Sequence, residues 1–299
     1  PRLFVHGRRH GAALATQAGM GNFGVSIVQF VTPWIIGFAL MGGAAFMGDS
    51  QTLTKAGVQS QVYLQNAAAV MIPFTFVFGV SAWLMLKSVP VKANFAQQFD
   101  IFRSRHTWSM TSLYIMTFGA FSGLAATFPL LIKQIYGGFE GAPDPLAWAF
   151  WGPLVGSAAR VVAGPLSDKL GGARVTHWAG LGMLASTVWV TTLTSPTGLD
   201  SFPMFVAGML TMFFFAGVGN ASTFKQMPML FEPRQAGGVI GFTAAIAAYG
   251  PFLFGMLFAA SFGAFKSATP VFYGLAAFFA FNVVLNWWMY ARRGAANPC

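Results

Sequence analysis

Arg160 is the residue whose position in this sequence calls first for an explanation. It lies inside the apolar span 146–166 of the stretch 145–175, PLAWAFWGPLVGSAARVVAGPLSDKLGGARV, and no other charged residue falls within an apolar span. A charge at the centre of a membrane helix costs roughly 2.5–3.5 kcal/mol on insertion scales, so such residues mark pairing or ligand sites. Gly152, Gly156, Arg160 and Gly164 are evenly spaced at helical intervals and line one stripe of that helix. Glycine on both sides leaves room for something to approach the guanidinium. The alternative is a structural arginine that bonds neighbouring carbonyls in a broken helix.

Three further stretches carry candidate chemistry. In QAGMGNFGVSIVQFVTP, Gly19, Gly21 and Gly24 thin a helix around Asn22, whose amide can donate to an anion. In FFFAGVGNASTFKQMP, Gly217, Gly219, Asn220, Ser222 and Thr223 form a second small, polar patch. Either could instead be a seam where small residues and amides join helices. After Arg160, the string GPLSDKLGGARV places Asp168, Lys169 and Arg174 at a turn that Gly171 and Gly172 make tight. Charges there can latch one side of a bundle, or can simply set topology.

These residues must be positioned by membrane helices. The chain is 56% hydrophobic and only 8% charged, with a mean hydropathy of +0.62. Soluble domains carry about 25% charge. Taking about 20 apolar residues per crossing, spans are predicted near 11–43, 62–86, 107–132, 146–166, 175–194, 202–223, 237–262 and 269–290. Fold class is therefore all-α and integral to the membrane.

The net charge of +10 is a topological signal rather than a nucleic-acid footprint. Arg2, Arg8, Arg9, Lys87, Lys92, Arg103, Arg105, Lys169, Arg174, Lys225, Arg234, Arg292 and Arg293 fall on the side of the N-terminus, against Lys55, Lys133 and Lys266 on the other. By the positive-inside rule both ends of the chain are cytoplasmic. Trp287, Trp288 and Tyr290 read as an interfacial belt at the last span's end.

Several classes are disfavoured. Cys299 is the sole cysteine, which excludes a disulfide framework and a cysteine-ligated metal. His6, His10, His106 and His177 sit at span ends or in basic segments, so a haem-bearing electron-transfer subunit lacks mid-span ligand pairs. No metal or cofactor is expected. A sugar porter should show more mid-span Asn, Gln and Glu.

Four strings, GMGNFGVSIVQF, RHTWSMTSLYIMTFGAFSG, the Arg160 helix and GVGNASTFKQMP, closely resemble the nitrate/nitrite porters (NarK type) of the major facilitator superfamily. The resemblance covers essentially the whole chain, and GPLSDKLGGARV resembles the signature loop of that superfamily. It implies a major facilitator fold of twelve helices, of which this chain supplies helices five to twelve, about eight of the twelve. Residues 1–106 would hold the last two helices of the N-terminal half and a cytoplasmic linker, and 107–299 the C-terminal six-helix half.

The resemblance also implies a site. The family binds its anion between two arginines, one per half; Arg160 matches the C-terminal one, and the other would lie on helices before Pro1. Family members sandwich the anion between aromatic rings beside a tyrosine, which points to Tyr114 and Phe118 in YIMTF. Substrate contacts are thus expected from Arg160, Tyr114, Phe118, Asn22, Gly156, Gly164, Gly219, Asn220 and Ser222, and a latch from Asp168, Lys169 and Arg174. The family's second glycine signature reads GFTAAIAAYGPFLFG here, keeping Gly241 and Gly250 with alanine elsewhere.

The chemistry is consistent: nitrate and nitrite are planar anions, and guanidinium is a rigid planar fork of donors. The expected protein is a monomeric, non-enzymatic transporter of nitrate or nitrite in a bacterial inner membrane. Without a mid-span Asp, Glu or His, exchange of the two anions is favoured over proton symport. A major facilitator for another small anion remains the alternative.

Overall fold

In a computed structural model, residues 9–38, 48–55, 58–86 and 99–295 are described. The end of the first predicted span, 39–43, and Arg2, Arg8, Lys87 and Lys92 lie outside them. The chain divides into two compact units, 1–26 with 93–299, and 27–92, the division falling inside the first helix, α1 (His10–Ile35).

The smaller unit holds the end of α1 and a hairpin absent from the expected all-helical order. Strands β1 (Gln51–Lys55) and β2 (Val58–Val62) pair antiparallel with Gln51 opposite Val62. Their sequences, QTLTK and VQSQV, are short and β-branched, and too polar to cross a membrane. The short α2 (Asn66–Ala69) and α3 (Met71–Met85) follow. Asn66 donates from its amide to the Ile35 carbonyl at 3.3 Å, tying α2 to the end of α1. No α3 side chain is buried and Trp83 is 82% exposed, as suits a helix surrounded by lipid.

The larger unit is helical. Its first rod joins α4 (Arg105–Tyr114) to α5 (Ala120–Tyr136) through a π-helical turn, Ile115–Gly119. Ser104 starts α4 by accepting the His106 amide at 3.3 Å. Next, α6 (Pro145–Ala149) leads into α7 (Trp151–Leu170), with Asp144 capping the Leu146 amide and Pro145 at the helix start. Gly171, at φ +89°, breaks the chain between α7 and α8 (Gly172–Thr191), a conformation that favours glycine. Helix α9 (Phe202–Leu230) runs two turns beyond the predicted span of 202–223, taking Lys225 into the packed helix at 8% exposure. The signal for the earlier end was the charge itself, which the fold instead pairs.

The last two rods are α10 (Pro233–Ala247) with α11 (Gly250–Phe265), and α12 (Thr269–Asn286) with a π-helical turn, Trp287–Ala291. Pro251 begins α11, where a proline needs no amide partner. This break faces the π-turn of the first rod: a Cβ on Gly250 would stand 2.2 Å from the Gly119 carbonyl oxygen. Gly250 thus keeps the close helix approach although its neighbouring signature positions are alanine.

Among the described residues, six helical rods are long and apolar enough to cross a membrane: Asn66–Met85, Arg105–Tyr136, Pro145–Leu170, Leu199–Leu230, Pro233–Phe265 and Thr269–Ala291. Helices α1 and α8, richer in glycine and polar residues, occupy the first and fifth predicted spans. The core of the larger unit is aromatic and sulfur-rich, with Phe121, Phe128, Phe205, Phe213, Met209 and Met212 fully buried.

Candidate anion site and latch

Arg160 is 1% exposed in the middle of α7. The glycine stripe reads as packing once its neighbours are known. A Cβ on Gly152 would meet the Phe213 ring, and one on Gly156 would meet the Phe121 ring and the Phe213 carbonyl. One on Gly164 would meet Ala15 and the Gly11 carbonyl. These glycines set α7 against α9 and α1. Gly19 closes the α1 seam against Val161, while Gly21 and Gly24 face open space.

Side chains from three helices converge on the guanidinium. With the Asn22 amide oriented so that every donor meets an acceptor, its oxygen accepts from Arg160 Nη1 at 3.0 Å and its nitrogen donates to the Ala18 carbonyl at 3.2 Å. Asn22 therefore orients the arginine, where sequence reading made it a donor to the anion. Tyr114 lies beside Arg160. Phe224, on α9, sits with its ring centre 4.9 Å from the guanidinium carbon, a cation–π distance.

The π-turn arranges the aromatic pair. Tyr114 and Phe118 stack at 5.2 Å with 7° between ring planes, and Tyr114 also packs on Phe224 at 4.9 Å. Single-turn π-bulges recur at functional sites because they re-aim side chains within an otherwise regular helix.

The arrangement leaves hydrogen-bonding capacity pointed inward. Arg160 Nε and Nη2, Ser157 Oγ and both polar atoms of the Asn220 side chain are buried without a protein partner. Unpaired buried polar groups cost about 1–3 kcal/mol each, and their concentration near one buried cation suits a polar ligand. Asn220 stands one turn before Phe224 on α9, between Gly217, which meets Gly156 of α7, and Ala221, which shares a buried cluster with Ala163 of α7, positions that bracket Arg160. Sequence reading missed Phe224 and Ser157. Ser157 precedes Arg160 by almost one turn, a signal in plain view, whereas nothing in its own stretch distinguished Phe224 from filler.

Two expected contacts fall elsewhere. Gly219 would place a Cβ against Thr117, and Ser222 bonds the Thr176 hydroxyl at 2.7 Å in a network that Gln226 extends. Both positions join α9 to its neighbours, and the structure does not bring them to the guanidinium.

Asp168 forms a second centre. Its two carboxylate oxygens accept the backbone amides of Gly11 at 2.9 Å and Ala12 at 2.8 Å, the first free donors of α1. A carboxylate there satisfies orphan N–H groups and the positive end of the helix dipole. Lys225 donates to Asp168 Oδ1 at 2.7 Å, with the two side chains 11% and 9% exposed. Lys169 and Arg174 are exposed and make no ion pair with Asp168; the partner is Lys225, which sequence reading had counted as a loop charge.

Among solved structures, the fucose:proton symporter FucP of E. coli matches with a TM-score of 0.58 at 12% identity, over 75% of this chain and 56% of that one. That likeness shows a shared fold. No family model matches. The chain is 63% identical over 297 residues to a probable nitrate/nitrite antiporter, NarK2, of Thermus thermophilus, covering 99% of this chain and 67% of that protein. It is 30% identical to the nitrate/nitrite transporter NarU of Escherichia coli, covering 97% and 66%. A nitrite extrusion protein of Bacillus subtilis matches at 28% over 91% and 62%. This chain belongs to the nitrate/nitrite porter family of the major facilitator superfamily, and it spans about two thirds of the length of these relatives.

Proposed function

We propose that this chain forms helices five to twelve of a nitrate/nitrite porter that exchanges the two anions by alternating access. Residues 1–106 belong to the N-terminal half and 107–299 form the C-terminal half, with both ends in the cytoplasm of a bacterium and the spans in its inner membrane. The supporting observation is the buried Arg160, oriented by Asn22, covered by Phe224 and left with two unpartnered guanidinium nitrogens.

A planar anion fits those nitrogens edge-on, while Tyr114 and Phe118 offer a hydroxyl and a ring face, and Asn220 and Ser157 add neutral donors. Inside a low-dielectric bundle the ion's charge offsets the cost of the buried cation. Rocking of one half against the other is then favourable when the site is loaded. Two facing arginines without an anion would repel, which enforces exchange rather than net leakage. Asp168, holding the start of α1 and paired with Lys225, latches the cytoplasmic side, with Lys169 and Arg174 flanking it.

The test is counterflow in proteoliposomes of the full-length protein. Nitrate uptake should require internal nitrite or nitrate and be indifferent to a pH gradient. Arg160→Lys should insert normally and fail to exchange, because a point charge cannot reproduce the planar fork. Uptake driven by a pH gradient alone would overturn exchange, and wild-type exchange by Arg160→Lys would remove that residue from the site.

A further inference from the structure

The end of the bundle bearing the α7–α8 turn carries a second concentration of guanidinium groups that the transport site does not use. Two adjoining cavities, of about 470 and 340 Å3, run between the start of α8 and the end of α12. Arg174 and Arg293 line both; Arg292 lines the larger, and His177 and Trp287 the smaller. No carboxylate lines either one.

The groove is built rather than merely charged. Gly171, at its positive φ, turns the chain so that Arg174 begins α8 beside the π-helical turn that ends α12. Arg292 lies over the Trp288 ring at 4.4 Å, and its Nε is buried without a partner. His177 Nδ1 is likewise buried and unpaired. Around the groove, Trp178, Trp287 and Trp288 are 70%, 45% and 59% exposed. Such a girdle marks the level of the lipid headgroups.

We propose that this groove binds the phosphate headgroup of an anionic phospholipid. Three guanidiniums supply planar, multidentate phosphate donors, and the groove opens where a headgroup resides rather than toward the Arg160 site. Its tryptophans would border the glycerol and upper acyl chains. Basic pockets between helix ends on the positively flanked side are suited to such headgroups. Bound there, the lipid would pin the end of α12 to the start of α8, next to the latch turn. The inference rests on the membrane location alone and is independent of which ion is carried.

Native mass spectrometry of the full-length protein in detergent tests it, titrated with phosphatidylglycerol or with phosphatidylcholine of the same acyl chains. Wild type should retain phosphatidylglycerol in clear preference. The exposed pair Arg174→Gln/Arg293→Gln should weaken that binding roughly thirtyfold, from about 1 kcal/mol per basic residue near an anionic surface. Arg103→Gln/Arg105→Gln, an equal loss of charge at exposed sites elsewhere, should leave it unchanged. Equal binding of the two lipids, wild-type retention by the groove variant, or an equal loss in the control would overturn the proposal. Displacement of the lipid by millimolar inorganic phosphate would also overturn it, assigning the groove to a free anion.

Discussion

The Arg160 guanidinium carbon stands 4.9 Å from the centre of the Phe224 ring, an interaction between α7 and α9 that covers a buried cation with an aromatic face. The same ring packs on Tyr114, so one phenylalanine fixes two of the groups expected to hold an anion. Phe224→Leu keeps the apolar bulk and removes the quadrupole. A cation–π contact is worth about 0.5–2 kcal/mol, so the half-saturating nitrate concentration should rise about twofold to thirtyfold in counterflow, with protein yield unchanged.

Asn220 separates binding from stability. Its amide is fully buried with neither polar atom paired inside the protein, an expense of about 1–3 kcal/mol. Asn220→Leu, similar in size, should hold or raise the thermal unfolding temperature in detergent while exchange falls at least tenfold. A loss of stability without a loss of exchange would make Asn220 a structural residue.

The Asp168–Lys225 pair should behave as a unit. Removing one member of a buried pair strands the other, at about 3 kcal/mol or more. Asp168→Asn should therefore destabilise the protein and loosen the start of α1, read as faster hydrogen exchange at the Gly11 and Ala12 amides. Lys225→Met should cost less in that background than in wild type, because the carboxylate it pairs with is already gone. Strict additivity of the two changes would deny the coupling.

Close helix approach makes sharp predictions about glycine. A Cβ on Gly217 would sit 2.0 Å from the Gly156 carbonyl oxygen, whereas one on Gly241 meets nothing within 4 Å. Backbone cannot step aside as a side chain can, so Gly217→Ala should cost about 1–3 kcal/mol or more. Gly241→Ala should leave the unfolding temperature near that of wild type.

Asp100, on the segment before α4, is held below the usual carboxylate range chiefly by its hydrogen bond from Arg234. A lowered folded-state value means that its contribution is present above the unfolded pKa and lost as pH falls through the folded one. Unfolding temperature should thus carry an Asp100-dependent decline below about pH 4, which Asp100→Asn abolishes. The same variant should leave the neutral-pH dependence of exchange unaltered.

Hydropathy and a lone mid-span arginine were enough to read the helical bundle, six of its predicted spans and the buried cation from the chain, because a bilayer imposes length and polarity on every crossing. Local strings also marked Tyr114, Phe118, Asn22 and Asp168 through family resemblance. Packing decided what each does. Asn22 turned its oxygen to Arg160, Gly156, Gly164 and Gly219 became seams, and Lys225 left its supposed loop to pair with Asp168. Phe224 and the Arg174–Arg292–Arg293 groove join residues far apart in the chain. No local pattern encodes such meetings, since they depend on which helix faces which, and at what depth.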